Sequence, residues 1–303
     1  MDSADIPITP RGVLLISQDP TMPDGVKMEQ LTVLTTEEHA RYHTAHRRVN
    51  NLLLGGILTY FQLSDYALRA TIAEANLAHA ENRFQPQTRP NEAMRLISEL
   101  RTAVLSVVSA VYFHQDQTYQ LASDLHPGDK SVRAEIEKVF NGLFDANRSY
   151  RLLYALRNLM THQTMEAVSV HARVLQVAPE RVEARFRFRM DRALAVRSTV
   201  INKIAKADLV QMQDDPDVIE LLDEVRPALY QADQRISTLL YPDMRELCET
   251  IIEFDRLFQG KPGIRALVND WQPDKRGQLP TWSSWAAQVF EFAARQLVPL
   301  EAP

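Results

Sequence analysis

Apolar residues recur at intervals of three and four along most of this 303-residue chain, which is the pattern of helices with one buried face. The clearest run covers residues 91–125. Helix-breaking residues predict interruptions at Gly55-Gly56 and near Tyr241-Pro242. The pattern predicts helices at about 35–83, 91–125, 131–147, 149–162, 216–258 and 284–297, with further helical turns from about residue 191.

The period changes from 3.6 to 2 in residues 166–190, which predicts a β-hairpin inserted into a helical protein. Phe186 and Phe188 alternate there with arginines, so one face should be buried and the other basic. Two shorter β-like pieces, 13–16 and 31–34, predict an extended N-terminal arm that forms a surface hairpin.

Together these patterns predict a mainly α protein, a helical bundle with an inserted β-hairpin at about 166–190 and short N-terminal extended segments. The expected division along the chain is an extended arm, a bundle core, the hairpin, and C-terminal helices that pack on the bundle. These parts cover residues 1–34, 35–165, 166–190 and 191–303, respectively.

Composition narrows the class of protein. The single cysteine, Cys248, excludes an internal disulfide framework, and the N-terminal residues lack the basic start and apolar core of a secretory signal. The longest apolar stretch, 103–113, is shorter than a bilayer-spanning helix requires. We therefore expect a cytoplasmic protein with no membrane partner.

Charge is distributed unevenly along the chain, although the formal net charge is only -5. Residues 148–206 hold twelve Lys/Arg against four Asp/Glu, whereas thirteen acidic residues outnumber the basic ones in residues 208–255. Either the two regions pack as complementary surfaces, or the basic region binds a polyanion.

The most informative motif is Arg157-Asn158-Leu159-Met160-Thr161-His162, at the end of the helix predicted at 149–162. An arginine can bind a phosphate with two hydrogen bonds, and a histidine can transfer a proton near neutral pH. Asn158 lies four residues before His162, so its amide could orient the imidazole. Arg157 and His162 are about 140° apart on an ideal helix, so their convergence needs a helix end, a bend or a second copy of the chain.

This motif resembles the signature of the HEPN superfamily, in which an arginine, usually followed by a polar residue, precedes a histidine by a few positions. The resemblance covers the motif and its helical setting, roughly residues 36–165, and the hairpin and long C-terminal part depart from the smallest family members. It implies a HEPN-like helical core at 35–165, a homodimer with facing motifs, and often metal-independent cleavage of RNA. It assigns phosphate binding to Arg157, an orienting or contacting amide to Asn158, and proton transfer to His162.

Two functional hypotheses follow from the resemblance. The first is an endoribonuclease without a cofactor that cuts single-stranded RNA at a dimer interface, in a toxin or antiviral role. The second is a non-catalytic binding or scaffold protein of the same fold that recognises RNA, a nucleotide or a protein partner. The chain could also have a protein partner or an inhibitor. The hairpin residues Arg185, Arg187 and Arg189 could bind RNA phosphates, or they could face the acidic C-terminal helices.

A third hypothesis concerns His39, His43 and His46, which share one face of the first predicted helix. Three imidazoles can bind zinc, but this set lacks a further ligand and no cysteine assists it. The alternatives are an exposed polar face and a contact surface for RNA or a partner, and no metal site is assigned.

Overall fold

The computed structural model describes residues 11–18, 21, 25–53, 57–81, 83–178, 181–270 and 281–298 of the chain. The helices are α1 (Thr36–Leu53), α2 (Ile57–Ala80), α3 (Pro90–Leu125), α4 (Lys130–Ala146), α5 (Arg148–His162), α6 (Arg192–Arg197), α7 (Lys203–Gln211), α8 (Val218–Leu240), α9 (Met244–Arg256) and α10 (Ala287–Leu297). The strands are β1 (Gly12–Gln18), β2 (Val26–Val33), β3 (Val168–Ala178), β4 (Arg181–Met190), β5 (Ile264–Asp270) and β6 (Thr281–Trp285). The predicted mainly α class with an inserted hairpin is confirmed.

Internal contacts divide the chain into two compact units. Unit 1 comprises Met1–Gly56 and Tyr241–Pro303, and unit 2 comprises Ile57–Leu240. This division differs from the serial one that the sequence suggested, because β1 pairs with β5, which lies about 250 positions further along the chain. The predicted break at Gly55-Gly56 lies outside the described residues, between the end of α1 and the start of α2.

Unit 1 contains a four-stranded antiparallel sheet in the order β2-β1-β5-β6. The predicted pairing of the two N-terminal strands is confirmed, with Gly12 opposite Val33. However, β1 is an inner strand of the sheet and not part of a surface arm, because Leu14 and Ile16 pack with Val268 in a buried cluster. The sequence analysis had not predicted β5 and β6.

The helices of unit 1 are α1, α9 and α10, which pack on one another. Helix α1 begins with a reciprocal cap: the Thr35 N–H donates to Glu38 Oε2 (2.8 Å), and the Glu38 N–H donates to Thr35 Oγ1 (3.1 Å). The aromatic ring of Phe254 lies between Tyr42 and Trp285 at the centre of this unit.

Unit 2 is a helical bundle in which α3 contacts α2, α4 and α5, while α8 packs on α4 and α5. Its interior is apolar, with Leu100, Val104, Phe140 and Leu156 almost completely buried. A 3₁₀ turn, Met165–Ala167, connects α5 to the hairpin of β3 and β4, whose apolar face packs on α2.

Helix α3 is 36 residues long and contains an 18-residue window with a mean hydropathy of 1.5, of which one third is buried. By length and composition alone it could cross a membrane, and no other helix within the described ranges meets that criterion. The expectation from the sequence considered only the stretch 103–113. Core helices of bundles meet the same criterion, and α3 packs on three neighbours within unit 2.

Candidate functional site

Helix α5 carries the motif on its last six residues. It begins at a side-chain cap, in which the Tyr150 N–H donates to Asn147 Oδ1 (2.8 Å). It ends where the Gln163 N–H donates to the Leu159 carbonyl (2.9 Å), so His162 is the last helical residue. The apolar side of α5 is buried in unit 2, which fixes the position of the motif backbone.

Arg157 is held from two sides. Its guanidinium carbon lies 4.4 Å from the centroid of the Tyr112 ring, within the range of a cation–π contact. Its Nη1 donates to Asn158 Oδ1 (3.1 Å). The Nε atom is buried and has no hydrogen-bond partner in the described part of the chain. The guanidinium is therefore oriented while part of its donor capacity stays unused.

Asn158 connects Arg157 to a second tyrosine. Burial raises the pKa of Tyr154, and the neighbouring Tyr112 hydroxyl raises it further. The positive charge of Arg157 and a hydrogen bond with Asn158 oppose this shift. Tyr112 and Tyr154 also contact each other, with ring centroids 5.3 Å apart. Two tyrosines and an amide thus surround the guanidinium.

His162 is exposed at the end of α5. Within the described ranges its imidazole makes no hydrogen bond or ring contact. The described contacts of Asn158 are with Arg157 and Tyr154, and not with His162, so the amide does not orient the imidazole as the i, i+4 spacing suggested. Arg157 and His162 therefore lie on the same helix, but their side chains make no contact with each other in the described residues.

No role was predicted from the sequence for Tyr112 or Tyr154. Tyr154 lies one helical turn before Asn158, so spacing could have indicated its contact with the amide. Tyr112 lies on α3, 45 positions before Arg157, and only the packing of α3 against α5 brings it to the site.

This arrangement predicts that Arg157→Ala raises the pKa of Tyr154 further above its ordinary value, because the variant removes a positive charge that stabilises the tyrosinate. The shift can be followed by NMR titration of protein with ¹³C-labelled tyrosine ζ carbons, using Tyr154→Phe to assign the resonance. Arg133→Ala is the matched control. Arg133 belongs to α4, and its guanidinium carbon lies 5.3 Å from the centroid of the Tyr119 ring on α3. An unchanged Tyr154 pKa in Arg157→Ala would contradict the described geometry.

The three hairpin arginines lie on one face, as predicted. Phe186 and Phe188, which alternate with them, are buried. Arg185 and Arg187 are exposed, whereas Arg189 is half-buried at the base of the hairpin. The structure therefore separates Arg189 from the other two.

A groove of about 460 Å³ borders the base of the hairpin and contains both signs of charge. Arg187 and Arg189 line it together with Arg148. No ion pair joins these arginines to a carboxylate within the described ranges. Five acidic residues also line the groove: Asp214, Asp215, Asp217, Glu220 and Glu224. Residues of the basic and of the acidic region of the sequence thus line one groove.

The histidine face of α1 is partly or fully buried, and not an exposed polar face. His39 Nε2 lies 2.6 Å from the Val268 carbonyl oxygen, and the buried His46 ring stacks on Trp285 at 4.4 Å. Burial lowers the pKa of His46 to about 4, so the ring is neutral near pH 7. The described residues include no group of three or more histidine, cysteine or acidic side chains that could hold a metal ion. This face packs against β5 and β6, two strands that the sequence analysis missed.

Comparisons with known proteins give no assignment: no family model matches the chain, and searches of curated proteins and of solved structures found no match.

Proposed function

We propose that this protein is a metal-independent endoribonuclease of the HEPN type, which cuts single-stranded RNA at the interface of a homodimer. The observation that carries the proposal is the orientation of Arg157 by Tyr112 and Asn158, five residues before an exposed imidazole on the same helix. A fixed cation and a proton carrier on the same helix are two of the groups that this RNA cleavage uses, and a second copy of the chain would supply the second proton carrier.

The proposed reaction uses the 2′-hydroxyl of the RNA as its nucleophile. One His162 accepts the proton of that hydroxyl as its oxygen attacks the phosphorus. The bond between phosphorus and the 5′-oxygen breaks, and the leaving oxygen takes a proton from the second His162 of the dimer. Arg157 binds the non-bridging oxygens as their negative charge increases. The products are a 2′,3′-cyclic phosphate and a 5′-hydroxyl.

An exposed apolar face supports the dimer. Tyr66 is 74% exposed on α2 and Met94 is 67% exposed on α3, and Tyr60 touches Phe113 between the two helices. Large exposed apolar patches are typical of interaction sites. We define the α2–α3 face by its exposed apolar residues: Tyr60, Leu63, Tyr66, Leu77, Met94 and Phe113.

This face adjoins the candidate site, because Phe113 directly follows Tyr112, the residue that holds Arg157. A two-fold dimer through the α2–α3 face would therefore bring the two copies of Arg157 toward one interface. Such a dimer would supply the convergence that a single straight helix does not.

The proposal predicts that the purified protein cuts single-stranded RNA in the presence of EDTA, and that the same RNA with 2′-O-methyl groups resists cleavage. The methyl group removes the nucleophile without changing the phosphate charge. Cleavage is measured by electrophoresis of labelled RNA of mixed sequence. Loss of cleavage with EDTA, or equal cleavage of the methylated RNA, would overturn the proposed reaction.

The proposed cellular role is toxic or antiviral RNA cleavage in the cytoplasm, held in check by a protein inhibitor. This part of the proposal rests on the resemblance to HEPN proteins alone.

The second candidate function is RNA or protein binding without turnover. It is favoured by the contacts that Arg157 already makes with Tyr112 and Asn158, because a guanidinium so engaged has fewer donors left for a phosphate. A wild-type protein that binds RNA but leaves it intact would support this alternative.

A further inference from the structure

The solvent-facing side of the hairpin carries more positive charge than the sequence motif alone indicated. In the antiparallel register of β3 and β4, His171 lies opposite Arg187 and Arg173 lies opposite Arg185. All four side chains are exposed. They lie on the face opposite Phe186 and Phe188, and we call them the hairpin track.

Two arginines of the hairpin track, Arg173 and Arg187, make no ion pair with a carboxylate in the described part of the chain. Side chains directly opposite in an antiparallel pair have Cβ atoms about 5 Å apart. Across the strands, Arg173 faces Arg185 and Arg187 faces His171, so each has a basic residue opposite it. A bound polyanion would neutralise the charges of Arg173 and Arg187.

The base of the hairpin sets a boundary for such a ligand. Arg189 is half-buried in the groove that also contains Asp214, Asp215 and Asp217. These carboxylates would repel a polyanion that reached the groove. The favourable path therefore runs along the hairpin away from its base and excludes Arg189, which the sequence pattern had grouped with Arg185 and Arg187.

The shape of the hairpin track indicates the class of partner. Successive charged residues on one strand are about 7 Å apart, and the two strands are about 5 Å apart, so the charge forms a narrow strip. A narrow strip suits one extended chain of phosphates. A membrane surface would favour apolar residues beside the cations, but Phe186 and Phe188 are buried against the body of unit 2.

We propose that the hairpin track, His171, Arg173, Arg185 and Arg187, binds the phosphate backbone of single-stranded RNA without reading its sequence. The track contains no phenylalanine, tyrosine or tryptophan on which a base could stack, so the contacts are with phosphate. RNA as the ligand rests on the proposed function, whereas the binding of a polyanion to these basic residues does not depend on it. The track would hold substrate RNA on the segment that follows His162 in the chain.

The test uses the His162→Ala protein, so that binding is measured without cleavage. The probe is a fluorescein-labelled 20-nucleotide oligouridylate, and its binding constant is measured by anisotropy between 50 and 200 mM KCl. Each phosphate neutralised on a single strand contributes a slope of about −0.7 to log K against log salt concentration. Adding Arg173→Gln and Arg187→Gln should make the slope less negative by about 1.4, because two phosphate contacts are lost.

Two further variants keep the result interpretable. Arg95→Gln with Arg133→Gln removes the same charge from exposed positions on α3 and α4, and should leave the slope unchanged. Arg173→Lys with Arg187→Lys keeps the charge and should retain the slope. If the lysine variant loses the slope as well, the arginines have a structural role and the proposal is overturned.

Other outcomes separate this proposal from the proposed function. An unchanged slope in the Arg173→Gln, Arg187→Gln variant, or an equal loss in the control, overturns the hairpin track even if the wild type cuts RNA. The expected slope change supports the track even if the wild type is inert. Binding to vesicles of phosphatidylserine and phosphatidylcholine, without binding to the oligouridylate, would overturn RNA as the partner.

Discussion

Replacing His162 by alanine is expected to lower the rate of RNA cleavage by about 10²–10⁴-fold, because the variant loses the group that carries the proton in the proposed reaction. The fold should survive, since the imidazole is exposed at the end of α5 and has no partner in the described part of the chain. The rate is measured by single-turnover cleavage of labelled RNA, and circular dichroism checks the helical content.

Arg157→Ala should reduce the rate by a similar factor, because the guanidinium stabilises charge that develops on the phosphate. Arg157→Lys should restore little of it, since an ammonium cannot provide the planar pair of donors or the same stacking on Tyr112. Asn158→Ala should have a smaller effect. The amide of Asn158 only positions Arg157, and the substitution leaves the guanidinium itself present.

Two control variants separate catalysis from general damage. Gln163→Ala alters the exposed residue next to His162, and Arg133→Ala removes another arginine that lies over a tyrosine ring. Both should cleave RNA at the wild-type rate. Equal activity of His162→Ala and wild type would contradict the assigned role of the imidazole.

The second large effect is expected at the α2–α3 face. Replacing Leu63 and Tyr66 together by glutamate should convert the proposed dimer into a monomer, because four like charges would be buried at a two-fold interface. The monomer should lose RNA cleavage by a factor comparable to that of His162→Ala. Light scattering after size-exclusion chromatography measures the mass, and the cleavage assay measures the consequence.

The matched control places two glutamates on α7, at Ile204 and Val210, which are 53% and 63% exposed. This variant should remain dimeric and active. A wild-type protein that is monomeric at micromolar concentration would contradict the dimer. A monomeric glutamate variant with full activity would show that the reaction needs only one chain.

The sequence predicted the helices of the bundle closely. The boundaries of α3, α4 and α5 lie within one or two residues of those expected, because each helix has a strong apolar period and a turn or cap at its ends. The division between α8 and α9 falls at Tyr241-Pro242, as expected from the proline.

The sheet of unit 1 was predicted only in its N-terminal half. Strand β5 has no clear alternation, and its partner β1 lies about 250 positions earlier in the chain. Local patterns contain no information about such a pairing, which depends on packing within the finished unit. The histidines of α1 were misread for the same reason, since Trp285, which covers His46, belongs to β6.

At the candidate site the motif was visible in the sequence, but its contacts were not. Spacing on an ideal helix suggested that Asn158 would orient His162. In the structure the amide contacts Arg157 and Tyr154, and the guanidinium of Arg157 lies over the ring of Tyr112 on α3. A residue contributed by a different helix cannot be found from spacing within one segment.

The proposed reaction is tested most directly by the chemical nature of the ends that the protein leaves on a short RNA of defined sequence. Purified wild type and His162→Ala are incubated with the RNA in EDTA, and the products are analysed by mass spectrometry. The proposed reaction predicts 2′,3′-cyclic phosphate and 5′-hydroxyl ends from the wild type, and intact RNA from His162→Ala over the same incubation time. Intact RNA in both reactions, or 5′-phosphate and 3′-hydroxyl ends, would contradict it.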